Sequence, residues 1–348
     1  MTAGSRLVTA GINRFDGPTV SAGYAKALLD FAVAQGAGRS VLLASSGIAA
    51  DALSDRDNRV PFASYVALMR SAKVLCDAPD LGLRFGAGTN FEEVSLVGLI
   101  CRAAGTMGEA LQQLNRYRGL IAEVDLGGGE RFELVSRDGG LWLEDRRPDP
   151  NAFPELTEET FARFVCEVAR SYGDVPFVTA VEVTHARPDH AAAYEAVLKA
   201  PVVYGAARNA LRIEPSWLSL QTRGANSYVF GIFNDRADAL LARLEAARTV
   251  RGEVERLLMP RLHLGAAGMA VTAGLMNLSR PTLYRRLKAE GVSFDQVLDE
   301  LRRELAKTYL ARLSVNETAY LLGFSDRSAF SRAFKRWTGQ GPRGWKGT

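Results

Sequence analysis

The chain of 348 residues holds only three cysteines, Cys76, Cys101 and Cys166, far apart and odd in number. That excludes a disulfide framework and the paired spacing of a zinc knuckle. Histidine is equally scarce. His185 and His190 flank Ala186-Arg187-Pro188-Asp189, His263 is remote, and none has a carboxylate or thiolate at ligand spacing, so no metal site is expected. No run approaches the ~18 apolar residues of a membrane span, and the opening MTAGSRLVTA lacks the apolar core of a signal peptide. A reducing cytoplasm is the expected compartment. Gly127–Gly129 has neither the lysine nor the strand–helix setting of a phosphate loop. Ala44-Ser45-Ser46-Gly47 lacks the frame of a nucleophile elbow. Neither a catalytic residue nor a cofactor is expected.

What is present is an ordinary globular composition, 47% hydrophobic and 24% charged, on a chain long enough for two cores. The formal charge of +4 conceals an asymmetry. From Glu245 onward there are 18 Lys+Arg against 10 Asp+Glu, which leaves 25 basic and 29 acidic residues for the rest. A basic block behind a mildly acidic body points to a polyanion as the partner of the block alone.

The body reads as mixed α and β. Helices are expected over Ser21–Gln35, Pro61–Cys76 and Thr106–Arg118, the last opened by a Thr106-x-x-Glu109 capping box. Strand patterns follow at Leu120–Leu126, Arg131–Arg137 and Leu141–Arg147. Between them lie Gly127-Gly128-Gly129 and Asp138-Gly139, residues that tolerate positive φ, so the pattern predicts a β-meander. Thr157–Tyr172 reads as an amphipathic helix with Phe161, Phe164, Val165, Val168 and Tyr172 on one side. Strands at Ala180–His185 and Asn209–Glu214 complete an antiparallel sheet. The fold expected is α+β, not a doubly wound parallel sheet, because strict strand–helix alternation is missing. Arg116 and Arg118, near the end of the third helix, are candidates for pairing with an anionic effector. The expected division is a sensing and oligomerisation domain over 20–225, a connection over 226–244 and an all-α domain over 245–348.

Within the basic block, Ser314-x-x-Glu317 is a capping box that opens a helix with Val315, Thr318, Ala319 and Leu322 on its inner stripe. Gly323 supplies a left-handed stop and Ser325 is read as the cap of the next helix. That helix has two stripes. Phe330, Ala333, Phe334 and Trp337 form an apolar seat, and Ser328, Ser331, Arg332 and Lys335 form a polar face. A small residue at Ala319 lets the second helix cross close to the first, the layout of a helix-turn-helix. The layout recurs upstream at Ala273-x-x-x-Asn277-Leu278-Ser279, although Gly268 and Gly274 weaken its leading helix. A shift of 47 places Leu283 and Leu287 on Phe330 and Phe334, and Pro281, Tyr284, Arg285 and Lys288 on the polar face. The motifs span about 267–290 and 314–338, joined by a helix that opens at the Ser293-x-x-Gln296 capping box. From Phe294 to Leu310 it would run ~25 Å, enough to hold two reading helices near successive major-groove openings.

The stretch LSRPTLYRRLKAEGVSFDQVLDELRRELAKTYL followed by AYLLGFSDRSAFSRAFKRWTGQGP resembles the AraC/XylS DNA-binding domain, over Glu245–Lys346. The resemblance implies that Pro281, Tyr284 and Arg285 in the first reading helix, and Arg327, Ser328, Ser331 and Arg332 in the second, lie in the DNA groove. Asn277 stands where the family usually has glycine, and Lys346 where arginine is commoner. VPFASYVALMRSAKVLCDAPDLGLRFG, GEALQQLNRYRGL and APVVYGAARNALRIEPSWL are similar to the arabinose-binding-type sensor domain of a large subgroup that includes ornithine-utilisation and mycobacterial virulence regulators. That likeness covers Ala22–Gln221 and implies effector sensing.

The expected function is therefore sequence-specific regulation of transcription. The partners are double-stranded promoter DNA, RNA polymerase if the protein activates, a small effector, and a second copy of the chain. Two alternatives stand beside it. A DNA-binding enzyme would need a reactive nucleophile, and the three cysteines have no neighbouring histidine. A nucleoid-type binder would hold DNA without sequence preference.

Overall fold

Ser21 ends a short strand, β1 (Thr19–Ser21), and its hydroxyl caps the helix that follows by accepting from Tyr24 N. The computed structural model describes residues 17–124, 129–173, 175–265 and 267–345. The chain divides between Ala242 and Arg243 into two compact units.

The first unit is α+β. Its helical part holds α1 (Ala22–Ala34), α2 (Arg39–Ser46), β2 (Arg59–Pro61), α3 (Phe62–Leu75), α4 (Leu81–Gly88), α5 (Phe91–Val94), α6 (Leu96–Ala103) and α7 (Met107–Ile121), with β2 antiparallel to β1. Then come β3 (Phe132–Arg137), β4 (Gly140–Asp145), α8 (Glu155–Tyr172), β5 (Val178–Val183), α9 (Ala191–Leu198), β6 (Val202–Tyr204), β7 (Ala210–Ile213) and, up to Ala242, most of α10 (Ser227–Ala247). The strands β3 to β7 make one sheet in the order β3-β4-β7-β5-β6. Asp138 and Gly139, with φ of 51° and 67°, form the tight hairpin turn between β3 and β4.

Three expectations change here. The sheet is antiparallel except at one edge, where β6 runs parallel to β5. A parallel neighbour needs a crossover, and α9 supplies it. No strand begins at Leu120, since Leu120 and Ile121 finish α7 and Ala122 makes only an isolated bridge to Val20. Residues 125–128 lie outside the described residues, and with them the end of that expected strand and Gly127-Gly128 of the glycine turn. At the start of α7, Thr106 Oγ1 does accept from Glu109 N, but Glu109 Oε2 accepts from Gly105 N instead of closing the capping box on Thr106. Most of the expected connection over 226–244 lies in α10, residues 227–247, whose Ala237 is fully buried in a core of the first unit.

That unit has two apolar clusters, one among α1 to α4 and one between α6, α7, α8 and the sheet. Helix α8 serves both: Leu156 belongs to the first and Phe161, Val165 and Val168 to the second. A helix flanked on two sides has little solvent face left. Accordingly its Glu155, Glu158, Glu159 and Arg163 are buried. Helix α4 crosses α8 so closely that a Cβ on Gly86 would stand 2.2 Å from the Glu159 carbonyl oxygen, a place only glycine can fill.

The second unit is all-α: α11 (Val250–Leu258), α12 (Met269–Leu275), α13 (Arg280–Ala289), α14 (Phe294–Leu310), α15 (Val315–Leu321) and α16 (Arg327–Thr338). One core joins them, with Val254, Leu258, Leu283, Val297, Phe330 and Phe334 among its members. Both expected capping boxes, Ser293–Gln296 and Ser314–Glu317, are closed in both directions. Gly268 is the N-cap of α12, not an interior position, so only Gly274 burdens that helix.

Candidate nucleic-acid interface

The second helix pair shows how a sequence can aim a polar face. Gly323 adopts φ +73°, and the N–H of Phe324 donates to Ala319 O at 3.0 Å, closing the C-terminal turn of α15. A Cβ on Gly323 would lie 2.0 Å from Leu262 O, so the glycine is required by close approach as well as by φ. Arg302 fixes the same turn: its Nε donates to Leu322 O at 3.0 Å and its guanidinium lies 4.8 Å from the Phe324 ring centroid. The cap of α16 is Asp326, not Ser325. Asp326 Oδ1 accepts from Ala329 N at 2.8 Å, while Ser325 Oγ donates to Asp326. The Ala329 N–H, then the Ser325 hydroxyl, hold the Asp326 carboxyl below the usual carboxylate range. Phe330 and Phe334 are fully buried, and Trp337 and Trp345 pack at the edges of this seat.

The first pair repeats the turn with one residue fewer. Asn277 has φ 53°, and Leu278 N donates to Ala273 O at 2.9 Å, as Phe324 does to Ala319. Ser279 caps α13 through Thr282 N. The leading helices therefore repeat with a shift of 46 and the reading helices with a shift of 47. The extra residue lies between Gly323 and the cap, which is why the cap falls on Asp326. Leu283 and Leu287 are buried in place of the two phenylalanines.

Seated this way, α13 exposes Pro281, Tyr284, Arg285 and Lys288, and α16 exposes Arg327, Ser328, Arg332 and Lys335, with Ser331 half-buried beside them. Among the described residues none of the five cations in this set makes a salt bridge. Other cations of the unit do: Arg336 binds Asp299 at 2.7 Å, and Arg251 binds Glu255 and Glu300. Helix α13 also exposes Arg280 and Arg286, which the stripe pattern did not single out. A search limited to one helical face omits them, although a simple cation count on α13 finds both.

In the first unit the two candidate arginines part company. Arg116 Nη2 contacts both carboxylate oxygens of Asp238, at 2.9 and 3.0 Å, and Tyr117 donates to the same carboxylate. Arg118 instead lines a cavity of about 200 Å³ and gives its guanidinium to the carbonyls of Asn115 and Gly129. The cavity lies among α6, α7, α8 and the sheet, with Leu111, Leu114, Phe132, Phe164, Val168 and Trp217 in an apolar wall. Cys101 also lines it, and burial pushes that thiol up to about 12, which leaves it protonated and poorly nucleophilic. Two of the three histidines pack within the first unit: His190 meets Glu158 Oε1 at 2.9 Å and His185 meets the Tyr194 hydroxyl at 2.8 Å. Among the described residues no His, Cys, Asp and Glu gather into a metal-binding group, and no helix is long and apolar enough to cross a membrane.

An α+β unit with an apolar-walled cavity, followed by a helical unit with two helix-turn-helix pairs, defines the class of a two-domain DNA-binding regulator. The profile of the arabinose-binding domain of AraC transcription regulators matches residues 36–222, and a helix-turn-helix domain profile matches 272–347. The first alone spans more than half of the chain, so the protein belongs to the AraC transcription regulators with this N-terminal domain. It is 28% identical over 343 residues to the ornithine utilization regulator of Pseudomonas aeruginosa, covering 95% of this chain and 97% of that one. It is 24% identical over 310 residues to the transcriptional regulator VirS of Mycobacterium tuberculosis, covering 83% and 85%. The crystal structure of the transcriptional regulator CdpR from Pseudomonas aeruginosa aligns with a TM-score of 0.40 at 23% identity, over 95% of this chain and 98% of that one.

Proposed function

We propose that this regulator recognises a specific operator through α13 and α16. The observation that carries the reading is a pair of seated helices that expose Arg285, Lys288, Arg327, Arg332 and Lys335, none of them in a salt bridge among the described residues. Tyr284, Arg285, Arg327, Ser328, Ser331 and Arg332 meet base edges, with Pro281 fixing the first turn of α13, and Lys288 and Lys335 meet phosphates. Residues 245–348 form the DNA-binding domain, 226–244 connect, and 20–225 sense a small effector in the cavity near Arg118. An effector changes operator affinity only by binding one arrangement of the protein better than another. RNA polymerase is the further partner wherever the bound promoter is activated, and a second copy of the chain occupies a second half-site. No chemistry is assigned to the first unit, whose cavity cysteine is a protonated thiol.

The test begins by mapping the protein on its own genome and measuring its affinity for a mapped site against random DNA at one salt concentration. A specific regulator binds its site about a thousandfold or more tighter. Equal affinities support a nucleoid-type binder instead. The Glu245–Thr348 fragment should retain the preference, and an effector should alter operator affinity of the full chain but not of the fragment. A fragment that itself responded would place the sensor elsewhere.

A further inference from the structure

Among the described residues Arg163 is the buried cation of the sensor cavity that has no carboxylate in salt-bridge contact. It projects from α8 and forms part of the wall, yet it is only 7% exposed. Its Nη1 donates to Thr89 O at 3.1 Å and its Nη2 to the Tyr24 hydroxyl at 3.2 Å, but its Nε has no partner. The rings of Tyr24, Phe85 and Phe91 lie 5.3 to 5.6 Å from the guanidinium carbon. Among the described residues no carboxylate comes within salt-bridge distance of it. Glu159, one helical turn earlier, accepts from the Tyr24 and Tyr65 hydroxyls instead. An arginine cannot shed its charge, and the carboxylate that opposes it, Glu159, is linked to it only through the Tyr24 hydroxyl.

The wall's carboxylates are already matched, and of its other cations Arg118 is half-buried and held by two backbone carbonyls while Arg223 is exposed beside the Tyr172 ring. Arg131 holds Asp145 at 2.8 Å, and Arg102 holds Glu92. Glu167 accepts from Arg170 and from Phe91 N. An incoming ammonium group would therefore find no carboxylate in the wall that lacks a partner. A sugar would strip water from its hydroxyls against a mostly apolar surface. A carboxylate, by contrast, would meet Arg163, and an apolar body would meet Leu114, Phe132, Phe164 and Val168.

We infer that the effector is a monocarboxylic acid with an apolar body, an aryl-alkanoic or medium-chain alkanoic acid, whose carboxylate pairs with Arg163. The inference rests on the cavity being the effector site. A 150 Å³ apolar cavity takes benzene, so about 200 Å³ accommodates roughly ten non-hydrogen atoms in all. Arg163 then gains a counter-ion in direct contact, beside the rings of Tyr24, Phe85 and Phe91.

The test is calorimetric titration of the full chain with 3-phenylpropanoate, octanoate, 3-phenylpropanamide and L-lysine. The acids should bind, and 3-phenylpropanoate should bind between about tenfold and a hundredfold tighter than its amide, the worth of a hydrogen bond to a charged group. This comparison needs no variant. In Arg163→Met the acid should lose its advantage over the amide, whereas Arg163→Lys should keep the preference at reduced affinity. Leu114→Trp, which fills the cavity, should abolish binding of acid and amide alike. Equal binding of acid and amide, tighter binding of L-lysine, or no binding of either acid overturns the proposal. If that happens while operator selectivity persists, only the ligand class is wrong. Loss of operator selectivity would instead remove the reading beneath it.

Discussion

In the first unit Arg131 is 7% exposed and grips both oxygens of Asp145, and Arg147 adds a second contact to the same carboxylate. In the second unit Arg285, Arg327 and Arg332 stand exposed, and none makes a salt bridge among the described residues. Burial alone would raise the Asp145 carboxyl, but Arg131 and Arg147 together hold it below the usual carboxylate range. The two settings imply different work. A buried, saturated arginine is architecture, because removing either partner leaves a charge in a medium that cannot solvate it. An exposed, unpaired arginine contributes almost nothing to stability, so its presence at one face of a seated helix is explained by what the face meets. Arg163 mixes the two: it is buried like the first kind and lacks a carboxylate partner like the second.

The largest effect is expected where the second unit is tightest. Gly323→Val places a β-branched side chain at φ +73° and a Cβ 2.0 Å from Leu262 O. A loss on the order of 3 kcal/mol or more in stability follows, with operator binding crippled although no base contact is touched. Gly323→Asn separates the causes, since asparagine accepts this φ but not the collision. It should also fail, whereas Asn277→Gly in the corresponding open turn should change the melting temperature little. Wild-type behaviour of Gly323→Asn would show that φ alone matters there.

The next effect belongs to the first unit. Burial pushes Glu159 up to about 7, against the opposing pull of Arg163, Tyr65 and Arg131. Unfolded, the group titrates near 4.5. Between those values the native state holds a proton that the unfolded chain has released, so stability falls as pH rises through the window. The accumulated loss by about pH 8 is on the order of 3 kcal/mol, at roughly 1.4 kcal/mol per unit. Glu159→Gln should remove this slope and raise stability at the alkaline end, measured as urea midpoints between about pH 5 and pH 8. A variant with the parent's slope would refute the assignment of the proton to Glu159.

The second unit was largely legible because its signals are local. Leu283 and Leu287, or Phe330 and Phe334, recur at helical spacing, and the caps lie a few residues away. The missed detail, the cap at Asp326, arose from comparing the motifs in one register when their turns differ by one residue. In the first unit the physics is less local. Helix α4, LGLRFGAG, is apolar on too many sides to show a period, because α8 covers what solvent would otherwise touch. Arg163 and Glu159 occupy the polar positions of an amphipathic pattern, which ordinarily face water, yet the cluster of α1 to α4 buries them. The cavity draws its wall from residues as far apart as Tyr24 and Gly224, a grouping that no local window reveals.

A smaller effect tests the unpaired cations directly. Arg327→Ala and Arg332→Ala should each cost about 1–3 kcal/mol of discrimination between operator and random DNA, with little change in melting temperature. Lys335→Ala should weaken both DNAs alike and reduce the salt slope by about one. Equal losses on operator and random DNA would reassign Arg327 and Arg332 to phosphate contacts.

The smallest effect is the sharpest control on the comparison. Arg336 stands four residues after Arg332 on the same helix and is also exposed, but its guanidinium binds Asp299 of α14 at 2.7 Å. If exposure alone made an arginine of α16 a DNA contact, Arg336→Ala and Arg332→Ala would behave alike. If pairing marks the difference, they should behave oppositely. Arg336→Ala should lower stability by no more than about 1 kcal/mol, the range of an exposed ion pair, and salt should mask even that. Its discrimination between operator and random DNA should equal the parent's. The check is one set of anisotropy titrations at fixed salt beside one set of thermal melts. A loss of discrimination in Arg336→Ala as large as in Arg332→Ala would mean that ion pairing does not separate structural from DNA-reading arginines on this helix.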